Sequence, residues 1–69
     1  MSHRLAGRVD AASFALRQHQ WAKGDLMVED DVAVIDLLAD LRHYCQAQRL
    51  DYEDLDGIAN AHYLIERPG

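Results

Sequence analysis

Three side chains in the C-terminal half of this 69-residue chain are of the types from which metal sites and nucleophiles are built: His43, Cys45 and His62. A thiol beside an imidazole suggests an activated nucleophile, and one cysteine with two histidines is most of a zinc site. Their spacing argues against both. His43 and Cys45 are two residues apart, so on a helix they point about 200° from one another. With the helices paired as described below, His62 falls beside Leu38, about five residues from His43, or roughly 7 Å along the axis. No Cys-x-x-Cys or His-Glu-x-x-His spacing is present. The expectation is therefore no metal and no cofactor, with Cys45 acting as a small hydrophobe.

Asp36, Asp40 and His43 stand at i, i+4 and i+7, on one face of a helix. That face reads as solvated surface or, alternatively, as a docking patch for a basic partner. No glycine-rich phosphate loop, nucleophile elbow or paired-acid cleft can be assembled. A three-helix unit of this size leaves little room for a substrate pocket of several hundred cubic ångström. An enzyme is not expected.

The elements that carry these residues follow from apolar period and capping. The clearest runs over 31–48, where Val34, Leu37, Leu38, Leu41, Tyr44 and Cys45 share a stripe. Glu29, Asp30 and Asp31 place negative charge at its start, where the helix dipole favours it. Asp36, Asp40 and His43 fall on the opposite face. A second helix is predicted over 52–66, capped by Asp51, with Leu55, Ile58, Ala59, His62 and Ile65 as its buried stripe. The short connection between them makes the two helices antiparallel neighbours. A first helix is predicted over 10–22, with Asp10 as its cap and Lys23-Gly24 as its stop. It packs on the hairpin through Phe14, Leu16 and Trp21, and residues 1–8 read as loose. A short strand at Leu26-Met27-Val28 is conceivable but needs a partner. The predicted fold is all-α: one small three-helix domain, residues 1–69, built on a C-terminal antiparallel helical hairpin.

Charge and composition narrow the function classes. Residues 1–27 carry four cations against two acids, and residues 28–69 carry ten acids against three cations, giving the net −5. An acidic body disfavours binding along a phosphate backbone, so nucleic acid is not the expected partner. No stretch approaches the roughly 20 apolar residues of a membrane span. The N-terminal residues do not read as a signal peptide, and the single cysteine excludes an intrachain disulfide. A cytoplasmic protein is the expectation.

Two further features concern association. His62 sits in the middle of its helix's apolar stripe, which suggests a buried histidine satisfied by hydrogen bonds or, more sharply, a pH-sensitive or partner-facing group. Gly57, Ala61 and Leu64 share another side of the last helix. A helical glycine costs about 1 kcal/mol relative to alanine, so close approach of another helix, from the same chain or a second subunit, would account for Gly57.

The segments Asp36-Leu37-Leu38-Ala39-Asp40-Leu41-Arg42-His43-Tyr44-Cys45, Leu50-Asp51-Tyr52, and Ala59 with His62-Tyr63 carry a pattern. It resembles that of a family of short uncharacterised helical proteins of bacterial genomes, phages and other mobile elements (DLLxDLxHW/YC, LDF/Y, AxxHY/F). The family has no assigned activity, so the resemblance implies the hairpin and a mobile-element origin but no functional residue. The resulting expectation is a non-enzymatic protein-interaction module, a homodimer or accessory subunit acting through helix faces. Its candidate interface residues are Ile35, Asp36, Asp40, His43, Gly57, Ala61 and Leu64. The alternatives are a phage- or plasmid-borne inhibitor that offers carboxylates to a host nucleic-acid enzyme, and a weak DNA-binding accessory role for the basic N-terminal segment.

Overall fold

The computed structural model of the chain describes residues 3–67, with side chains described from residue 6. Three helices follow in order, α1 (His3–Lys23), α2 (Asp30–Ala47) and α3 (Tyr52–Glu66). Among the described residues there is no strand, and Leu26, Met27 and Val28 lie in a turn between α1 and α2. The class is all-α, as the sequence predicts.

The start of α1 differs from expectation. The helix runs unbroken from His3, so residues 3–8 are helical and Asp10 lies in the helix interior rather than at a cap. Residues 1 and 2 lie outside the described residues. The reason is local: Arg4, Ala6 and Arg8 are strong helix formers, and Gly7 alone costs only about 1 kcal/mol. A residue that favours the cap position does not start a helix where nothing upstream ends one.

Gly24, with φ +71°, ends α1 as anticipated. The Asp25 amide donates to the Gln20 carbonyl at 2.9 Å and the Gly24 amide to that of Trp21 at 3.0 Å, which is the Schellman pattern. The end of α2 repeats it without a glycine. Leu50 donates to Cys45 at 2.8 Å and Arg49 to Gln46 at 3.2 Å, with Arg49 held at φ 59°. A side chain in this left-handed region costs about 1–2 kcal/mol.

Both acidic starts are used. Asp30 and Asp31 fill the first turn of α2, and the Asp31 carboxylate accepts from the Val32 amide at 2.8 Å. Asp51 caps α3 as predicted: its backbone is extended, its Oδ1 accepts from the Asp54 amide at 3.2 Å, and its carbonyl accepts from Leu55 at 3.1 Å.

The chain divides into two compact units, residues 1–39 and 40–69, with the boundary inside α2. In the first, Gln20 and Ala33 are buried, and Leu16, His19, Val28, Asp36 and Leu37 are half-buried. In the second, Cys45 is buried and Asp40 and Tyr52 are half-buried.

This distribution turns α2 within the first unit by about a quarter turn from the predicted stripe. Ala33, at 1 % exposure, is the most shielded hydrophobic residue, whereas Val34 and Leu38 are exposed. A single methyl group is fully shielded only where another segment lies close to the backbone, and close approach selects a small residue. The apolar pattern weights large aliphatics and so misses Ala33. Leu41 and Tyr44 are also exposed, leaving Leu37 and Cys45 as the members of the predicted stripe that are covered.

Candidate interaction surface

The residues singled out for chemistry do not form a site. Among the described residues no three His, Cys, Asp or Glu side chains gather as metal ligands would. Cys45 is a buried free thiol. His43 is exposed, as expected; His62 is exposed too, contrary to its predicted place in a core stripe. The stripe itself is uncovered: α3 contains no buried residue. Leu55 and Ile58 are exposed and Ile65 is 82 % exposed. The stripe residues share one face of α3, as the period predicts, and each is exposed.

Asp36 and Asp40 also depart from expectation. Both are half-buried, and both are more shielded than Leu38 and Leu41. For Asp36 this follows from the quarter-turn shift of α2 within the first unit, which brings its side toward the shielded line and Val34 away from it. Ile35 is exposed, as are Gly57, Ala61 and Leu64. A Cβ built on Gly57 would meet nothing within 4 Å.

Apolar exposure dominates what remains. Among the described residues the buried hydrophobics are Ala33 and Cys45, while seventeen large hydrophobic side chains are exposed. In the first unit Phe14 and Trp21, one face of α1 at i and i+7, are both exposed, with Trp21 at 71 %. Both were expected to be covered; Leu16 is half-buried and Gln20 is buried instead. Met27, in the turn after α1, is 96 % exposed.

One polar cluster escaped the sequence reading. The Arg42 guanidinium lies over the Tyr52 ring, and its Nη1 is 3.9 Å from Glu53 Oε1. The available signal was an arginine late in α2 and an aromatic-acid pair just after the Asp51 cap. Both members of the ion pair are largely exposed, so it contributes little by itself.

No helix among the described residues is long and apolar enough to cross a membrane. Comparison with protein-family models, with curated protein sequences and with solved structures found no match.

Proposed function

We propose that this chain is a non-enzymatic protein-interaction module that works through exposed apolar helix faces. The observation that carries the reading is the mismatch between its hydrophobic content, 49 % of residues, and its interior, which among the described residues holds only Ala33 and Cys45 as buried hydrophobics. Monomeric soluble domains rarely leave so many large apolar side chains uncovered for so few buried; apolar surface of this kind supports contact with another protein. Trp21, Phe14 and Met27 are of the types that anchor interfaces. The lone reduced cysteine supports a cytoplasmic setting. A mobile-element origin belongs to the same proposal, on the residue pattern carried by residues 36–63.

The test is the behaviour of the isolated chain at about 1 µM, where association is weak. It should bind 8-anilinonaphthalene-1-sulfonate (ANS), lack sharp near-ultraviolet dichroism, and unfold with poor cooperativity. Covering the apolar faces with a partner should reverse all three. A dilute monomer that binds no dye and unfolds in one sharp transition sinks the reading.

A further inference from the structure

We infer that the connection between α2 and α3 is a conformational switch, able to straighten so that α2 runs on into α3 as one helix. The device lies wholly within the second unit, residues 40–69, and does not rest on the interaction reading above. Only residues 48–51 separate Ala47 from Tyr52. Gln48, Arg49 and Leu50 are good helix formers, and the connection contains no glycine or proline. Arg49 at φ 59° and Asp51 at ψ 99° depart from helical geometry. The first departure is strained, because a side chain is disfavoured in the left-handed region. Turning the connection to helical angles removes that strain. It also pairs the carbonyls that end α2 with the amides that begin α3.

Register points the same way. Leu41 and Tyr44 in α2 and Leu55, Ile58 and Ile65 in α3 fall in one heptad count, carried through the connection in alternating steps of three and four. A bend has no use for a shared count, since irregular backbone interrupts the helical period. All five residues are exposed in the bent form, so their register is not spent on packing there. A continuous helix is the arrangement that places both stripes on a single seam.

The bent form is held by local contacts. Asp51 caps α3, its Oδ1 accepting from the Asp54 amide. Arg42 lies 4.4 Å from the centroid of the Tyr52 ring and 3.9 Å from Glu53. In a single helix Arg42 and Tyr52 would stand ten residues apart, about 15 Å along the axis, so this clasp exists only while the chain is bent. Straightening gives up no buried residue of α3, which has none. Clasp and cap on one side, and the Arg49 strain on the other, set the balance.

Pulsed electron–electron resonance on the full chain tests this, with spin labels on cysteines placed at His43 and Asn60 in a Cys45→Ala background. Diluting labelled chain into excess unlabelled chain restricts the signal to distances within one molecule. Along one helix the two positions are about 26 Å apart, and the bent form, with Arg42 against Tyr52, holds them closer. The short distance should dominate in the otherwise unmodified chain. Asp51→Ala, which removes the cap and adds a helix former, should raise the straight-to-bent ratio about fivefold. Adding Arg42→Ala should make the distance near 26 Å the main one. Arg49→Gly, which relieves the bend and disfavours a through-running helix, should lower the ratio again in that double variant. A variant that merely loses its fold gives a broad distribution without that peak, and this outcome counts against the switch. So does a single short distance that persists when Asp51 and Arg42 are both replaced, or a long distance that Arg49→Gly leaves unchanged.

Discussion

The guanidinium carbon of Arg42 sits 4.4 Å from the centroid of the Tyr52 ring, across the connection between α2 and α3. The planar cation faces the negative π-surface while its Nη1 reaches toward Glu53. Arg42→Ala should therefore lower stability by about 0.5–1 kcal/mol, the scale of an exposed cation–π contact. Glu53→Gln should change it by less than about 0.5 kcal/mol, because that pair is solvated. Urea midpoints of the two variants, measured at one protein concentration, check the ordering.

Arg49 occupies a conformation that favours glycine, at φ 59°. Arg49→Gly should raise stability by about 0.5–1 kcal/mol, since it removes the left-handed penalty while leaving both capping hydrogen bonds in place. Arg49→Ala should give no such gain. Equal thermal midpoints for the glycine and alanine variants would show that the penalty is not felt.

Gly57 offers the opposite substitution. With nothing within 4 Å of an added Cβ, Gly57→Ala should gain up to about 1 kcal/mol of helix propensity at no steric cost. Helicity by far-ultraviolet circular dichroism should rise with it. If self-association falls instead, the contact lies on the side of α3 that carries Gly57, Ala61 and Leu64.

Ala33 and Leu41 test the rotation of α2. Ala33→Leu should destabilise by about 1–3 kcal/mol through overpacking, because Ala33 is fully shielded. Leu41→Ala should cost less than the 2–5 kcal/mol of a buried leucine, because Leu41 remains 41 % exposed. A full core-leucine loss at 41 with silence at 33 restores the orientation read from the apolar stripe.

Local features were legible in the sequence where a few adjacent residues decide the outcome. Asp51 as the cap of α3, Gly24 as the stop of α1 and the span 52–66 each depend on the chemistry of one turn. The start of α1 was not legible, since Asp10 suits a cap but also tolerates an interior position when Arg4 to Val9 permit a helix. Burial was read least well. The pattern identifies which residues of a helix share a face, as it did for Leu55, Ile58 and Ile65, but it carries no information on what covers that face. His62 illustrates this: its place in the stripe was right and its burial was not. Asp36 and Ala33 show the converse, where a close approach favours the small residue and shields a carboxylate beside it.

The paired capping motifs also set where the chain can be cut. Lys23–Gly24 and Arg49–Leu50 are tryptic bonds, and each lies within a Schellman turn whose amides are hydrogen-bonded back into the helix. A protease needs several residues drawn out in extended form, so neither bond is a substrate until its helix end frays. Cleavage at these two positions thus times the local opening of α1 and α2 separately, in one digest. Arg49, already carrying the left-handed penalty, should open first, so that release of residues 50–69 precedes the cut after Lys23.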